Sequence, residues 1–229
     1  MFYYVLFMLP ALILSIYAQF KVKSTFKRYS KVASAQGITG VDVASTLLRR
    51  NGLGGVVKVG AVRGKLTDHY DPTHKVVNLS EAVYNQNSLA ALGIAAHECG
   101  HAIQHSQAYG PLELRHRLVP VTNIASSASF PIILIGLLLS GNPLGANLIL
   151  LGVALFSLVV IFQLVTLPVE FDASKRAVAL LSDSGIITPQ ESPAVKKVLN
   201  AAALTYVAAA FSAILTLLYY LLMFVGIDN

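Results

Sequence analysis

Three stretches without a charged side chain divide the chain: residues 1–20, 118–169 (52 residues) and 198–227 (30 residues). A helix needs about 20 apolar residues to cross the hydrocarbon core of a bilayer, so the first and last stretches each supply one span and the middle one has room for two. "SGNPLGAN" (Ser140–Asn147) interrupts that middle stretch with Gly, Asn and Pro, the residues that favour turns, which makes it a helical hairpin. Four spans follow, over Phe2–Phe20, Val121–Leu139, Leu148–Leu167 and Leu204–Val225.

The pattern between the spans is of another kind. "TGVDVASTLLRRNGLGG" has the spacing of one amphipathic helix, capped by Thr39 and stopped at Asn51 and Gly52. "GVVKVGAV" (Gly55–Val62) and "HKVVNLS" (His74–Ser80) carry the β-branched content of strands, with the turn-rich "TDHYDPT" separating them. "SEAVY" (Ser80–Tyr84) reads as a short helix. Ser88 caps the next helix, and Gly110 with Pro111 is expected to end it. Pro168 suits the first turn of a further helix, "TLPVEFDASKRAVALL". The fold class expected is mainly α: a four-span helical membrane protein with a small α+β domain outside the bilayer.

Composition agrees with lipid. Charged residues make up 12% of the chain and apolar ones 55%, with a mean hydropathy of +0.65, whereas a soluble domain carries about 25% charge. All 17 Lys and Arg lie in residues 21–120 and 168–203, which four spans place on one side. Positive residues near span ends stay in the cytoplasm, so that side is expected to be cytoplasmic. The first span has no basic stretch before it and reads as an uncleaved anchor. The net charge of +6 needs no nucleic-acid partner, because the basic cluster "KVKSTFKRYSK" (Lys21–Lys31) beside the anchor suits anionic lipid headgroups. The chain then divides into an anchor (1–20), a cytoplasmic part with the histidine helix (21–120), a two-span hairpin (121–167), a cytoplasmic helical segment (168–203) and a last span (204–229). The single Cys99 excludes an internal disulfide and reads as a packing residue.

The chemistry sits in "AAHECGHAIQH" (Ala95–His105). Residues four apart share a helix face, so His97 and His101 point the same way with Glu98 beside them. This is the H-E-x-x-H arrangement, two nitrogen ligands and a general base for hydrolysis. A catalytic zinc needs a third protein ligand and an open position. His105 fails as that ligand, because eight residues of helix separate it from His97 by about 12 Å. Gln104 and Gln107 stand where a metzincin has its glycine and third histidine, which excludes that class. Glu170 is the best-placed remaining donor, with a favourable charge at a helix N-terminus as its alternative reading. Two imidazoles, one carboxylate and an open position suit zinc.

"DHYDPTHKVVNLS", "AAHECGHAIQH" and "LPVEFDASKRA", in this order among four spans, resemble the YugP-like family of bacterial membrane neutral zinc metallopeptidases over most of the chain. The resemblance implies a zincin-like domain of the gluzincin type, with His97, His101 and Glu170 as ligands of Zn2+ and Glu98 as the catalytic base. It implies an endopeptidase in the bacterial cell membrane acting on protein or peptide substrates, membrane proteins among them. The wider gluzincin pattern has an acid four residues after the ligand glutamate to orient a zinc histidine. Ser174 stands there instead, and Asp172, two residues on from Glu170, is expected to face elsewhere. His69, Tyr70, His74 and His116 are candidate donors to a developing oxyanion, each with an ordinary surface or interface role as the alternative. "KVVNLS" is expected to be an exposed edge strand able to pair with an extended substrate. Three other readings remain: an intramembrane site-2-type protease, a catalytically silent membrane scaffold or metal-binding protein, and a transporter. The last has least support, because the spans hold no Asp, Glu, Lys, Arg or His.

Overall fold

The computed structural model describes residues 2–226, with side chains described from Val5 onward; residues 227–229 of the tail "GIDN" lie outside it. Its elements run α1 (Phe2–Tyr29), α2 (Gly40–Arg50), β1 (Lys58–Val62), β2 (His69–Asp71), β3 (Val76–Ser80), α3 (Leu89–Ser106), α4 (Gly110–Leu138), α5 (Pro143–Asp183) and α6 (Ser192–Val225). The protein is mainly helical, and four helices (α1, α4, α5 and α6) are long and apolar enough to cross a membrane.

Two compact units share these helices. The first is built from the chain up to Ala18, from Glu113–Pro168 and from Thr205 onward. Here Ile133, Ile149 and Val153 form a small core, with Leu217 and Tyr220 against it. A Cβ on Gly136 would meet Ile149 Cγ1 at 2.7 Å and the Gly145 carbonyl at 2.8 Å, so α4 and α5 approach through glycine, as helices in lipid commonly do. Large apolar side chains stay outside, Ile124 at 69% and Leu138 at 78% exposure. Exposed apolar surface of this extent fits hydrocarbon.

The second unit holds Gln19–Leu112 and Val169–Leu204. Its core joins α2, β3, α3, α5 and α6 through residues such as Leu47, Leu79, Leu92, Leu181 and Val195. Thr39 caps α2 in a reciprocal box with Asp42, and Asn51 closes it with Gly52 at φ +74°, as the sequence predicts. Ser88 caps α3 by accepting from the Ala91 N–H at 3.2 Å.

Five local expectations are corrected. The turn-rich "TDHYDPT" contains strand β2, a three-residue element too short to show alternation. β3 is not an edge: the sheet order is β1-β3-β2, with β1 parallel and β2 antiparallel to it, so its backbone is paired on both sides. Ser80–Tyr84 turns instead of forming a helix, because nearby carbonyls serve other segments. Tyr84 O and Gln86 O accept from the Val41 and Gly40 N–H groups at the start of α2, donors a helix cannot satisfy internally. Helix α3 ends at Ser106, capped by Gln107, with Ala108 at φ +49° making the reversal. Gly110 and Pro111 open α4 instead of closing α3, a position where the missing proline N–H costs nothing. Lastly, Pro168 lies inside the 41-residue α5 and starts no helix; helices of this kind tolerate interior proline when neighbours satisfy the freed carbonyl.

Candidate metal centre

Helix α3 is buried over most of its length, which its small residues permit. A Cβ on Gly100 would lie 2.8 Å from the Ala173 carbonyl oxygen and 3.3 Å from Ala173 Cα, so α3 and α5 touch backbone to backbone at this point. One residue beyond Gly100 is His101, and three before Ala173 is Glu170. The glycine contact is what brings the two helices close enough for their functional side chains to meet.

His97, His101 and Glu170 come together, each offering one donor atom, with all three atoms within 4.8 Å of one another. His97 Nε2 is 3.3 Å and His101 Nε2 3.6 Å from Glu170 Oε2. These are long for hydrogen bonds. They match the edge of a tetrahedron with bonds of about 2.1 Å, which is about 3.4 Å. The rings stand nearly perpendicular, centroids 4.7 Å apart. Their side chains are 13% and 10% exposed, and Glu170 is 2% exposed. The residues present therefore fit a divalent ion of zinc's preferences: two imidazole nitrogens, one carboxylate oxygen, and no fourth donor in the group among the described residues.

The other ring nitrogens are also engaged. His97 Nδ1 lies 3.2 Å from Ser174 Oγ, and His101 Nδ1 lies 3.0 Å from Gln104 Oε1. Since the amide oxygen only accepts, His101 must donate from Nδ1, leaving the Nε2 lone pair for a metal. Gln104 is fully buried. Its amide nitrogen donates to the Val169 carbonyl (2.9 Å) and to Asp172 Oδ2 (2.8 Å), and Arg176 ion-pairs the same carboxylate. Asp172 therefore does not face away: it lies behind His101, one residue removed. Ser174, at the place where the wider pattern has an acid, contacts His97. Sequence reasoning missed Gln104; the available signal was its position three residues after His101, which on a helix puts it on the same side.

Burial by itself would push the Glu170 carboxyl up, but the His101 and His97 imidazoles beside it outweigh burial and hold the group well below the usual carboxylate range. Burial would likewise lower His101; the neighbouring Glu170 and Glu98 carboxylates raise it instead. Two carboxylates facing two buried imidazoles make an environment that favours a cation.

Glu98 is 8% exposed. Among the described residues no hydrogen bond engages its carboxylate, yet its oxygens are not among the fully enclosed unpartnered atoms. Water can reach it. Cys99 is buried, contacts the Ala44 carbonyl at 3.7 Å and has its thiol pKa pushed up by burial, consistent with packing. His105 does not join the cluster; its Nδ1 is 2.8 Å from the Tyr70 hydroxyl. His69 binds the Thr67 carbonyl and Asn78, and His74 pairs with Asp71 at 2.6 Å. Tyr70, one of the candidate oxyanion donors, is thereby tied to the histidine helix.

A helix bearing H-E-x-x-H and a glutamate from a second helix could together hold a metal ion, the arrangement that zinc-dependent hydrolases use. Comparison with known proteins gives the same class. The model of a family described as "Putative neutral zinc metallopeptidase" matches residues 4–225. The chain is 51% identical over 218 residues to the "Putative membrane protease YugP" of Bacillus subtilis (strain 168), covering 95% of each chain. No solved structure matches it. The chain belongs to this neutral zinc metallopeptidase family.

Proposed function

We propose that the protein is a membrane-embedded zinc endopeptidase of the gluzincin type whose site faces the cytoplasm. The observation that carries this reading is the convergence of His97 Nε2, His101 Nε2 and Glu170 Oε2 while both Nδ1 atoms are held from behind. His97, His101 and Glu170 would hold the metal, which supplies Lewis-acid chemistry, acidifying a water and polarising a carbonyl. Glu98 takes the proton from the attacking water and returns it to the leaving amine. Gln104 and Ser174 keep the two rings in the orientation that ligation needs, and Gln104 also fixes the tautomer of His101.

Three donors, with no fourth among the described residues, suit catalysis better than a structural role, since structural zinc is closed by four protein ligands. The position of all 17 Lys and Arg supports the cytoplasmic orientation. Substrates are proteins or peptides, including membrane proteins. An extended chain would pair with the free edge of β2, which Tyr70 links to α3, because β3 is already paired on both sides.

The test compares bound metal and casein or membrane-protein cleavage for detergent-purified wild type and Glu98→Gln. Stoichiometric zinc in both with cleavage lost in the variant is the expected result. Zinc-free wild type, or a variant that cleaves as well as wild type, would overturn the reading.

A further inference from the structure

We propose that a basic pocket between the last turns of α1 and the first turns of α6 binds the phosphate group of an anionic phospholipid. This rests on the membrane reading of the four helices and is independent of the hydrolytic one.

The pocket, of about 410 Å³, is lined by Lys21, Thr25 and Arg28 from α1 and by Lys197, Asn200 and Leu204 from α6. The α1 residues are spaced i, i+4, i+7 and the α6 residues i, i+3, i+7, so each set forms one stripe on its helix. Both belong to the same compact unit, and the helices are joined nearby by Tyr29, Phe26 and Val198.

Three cations thus share one concavity whose lining contains no carboxylate. Among the described residues none of the three forms an ion pair. Gathering like charges without a counter-ion is unfavourable and leaves a site for an anion. Arg28 and the two lysines offer charged donors, and Thr25 and Asn200 offer neutral ones, the set that a phosphate oxygen accepts from. Arg28 also lies 5.5 Å from the centroid of the Tyr29 ring, a contact that steadies its guanidinium.

Position along the helices selects the source of the phosphate. Lys21 is the first charged residue of α1 after the apolar run ending at Phe20, which is 68% exposed. Lys197 is the last charged residue before the uncharged run of α6. Both helices therefore change from apolar to charged at the pocket, the level at which lipid phosphates lie. Leu204 gives it an apolar wall for the first carbons of the lipid. Lys23, Lys27 and Lys31 belong to the same basic cluster and are exposed, yet they do not line the pocket. They supply an internal control for charge alone.

The experiment is native mass spectrometry of the full chain in a neutral detergent, titrated with phosphatidylglycerol or phosphatidylcholine. Wild type is expected to retain one phosphatidylglycerol in preference to phosphatidylcholine. The triple variant Lys21→Gln, Arg28→Gln, Lys197→Gln should lose that preference by about tenfold or more. The triple variant Lys23→Gln, Lys27→Gln, Lys31→Gln, with the same change in net charge, should keep it. If the pocket triple fails to fold, judged by its helical circular dichroism, Lys197→Gln alone is compared with Lys23→Gln. Equal losses in the two variants, or no preference in wild type, would overturn the site. Displacement of the lipid by inorganic phosphate or glycerol 3-phosphate at matching concentrations would show a soluble anion to be the ligand and overturn the lipid assignment.

Discussion

Gln104 Oε1 lies 3.0 Å from His101 Nδ1, while the amide nitrogen of the same side chain bonds the Val169 carbonyl and Asp172 on α5. One buried amide thus sets the tautomer of a candidate ligand and ties its helix to the helix that carries Glu170. Gln104→Leu keeps the volume and removes both functions. It is expected to weaken zinc binding by about 10- to 100-fold, as loss of such partners does elsewhere. Chelator competition on the purified protein measures this, and unchanged affinity would refute the positioning role.

Ser174 steadies the His97 ring through a longer contact of 3.2 Å from a neutral hydroxyl that is only partly buried. Water can replace such a group, so Ser174→Ala should lower zinc affinity by less than about tenfold. A loss as large as that of Gln104→Leu would mean that the hydroxyl does more than hold the ring.

Gly100→Ala places a methyl against the Ala173 carbonyl at 2.8 Å, a rigid backbone neighbour. The helices must separate, at a cost of about 1–3 kcal/mol, and the distance between the histidines and Glu170 grows with them. Both thermal stability and metal content should fall. Gly110→Ala, whose added Cβ would meet nothing within 4 Å, is the control and should change neither.

Glu191 predicts an acid-sensitive joint. Its burial by itself would raise the carboxyl pKa, but hydrogen bonds from Thr188 and the Ala35 N–H lower it below the ordinary value. A group with a depressed folded pKa contributes stability above its unfolded pKa of about 4.3 and loses it as pH falls through the folded value. Glu191→Gln should lower stability near neutral pH by about 1 kcal/mol, the usual worth of a cap. It should also flatten the fall in stability below about pH 5. Parallel stability curves for variant and wild type across that range would refute the assignment.

Relations among near neighbours in the chain were readable without coordinates. The four apolar helices, the caps at Thr39 and Ser88, and the pairing of His97 with His101 follow from desolvation of charge, from orphan N–H groups and from the helical period, all of which act within a few residues. The exclusion of His105 belongs here too, since helical rise alone separates it from His97. Glu170 was legible as a candidate from the need for a third donor and from family resemblance, although the helix start that seemed to place it does not exist.

The approach of segments distant in sequence was decided by the fold. A glycine contact sets how near α5 comes to α3, and the bonds of Gln104 to Val169 and Asp172 orient the amide that determines which His101 nitrogen is free. The place of Gln104 three residues after His101 hints at their contact, whereas nothing near Asp172 in the chain signals its part in it. The central place of β3 depends on a three-residue partner that only pairing stabilises, and the turn after it depends on carbonyls claimed by α2. Each of these contacts joins groups from different elements, so its free energy depends on where those elements meet and no pattern within one element records it.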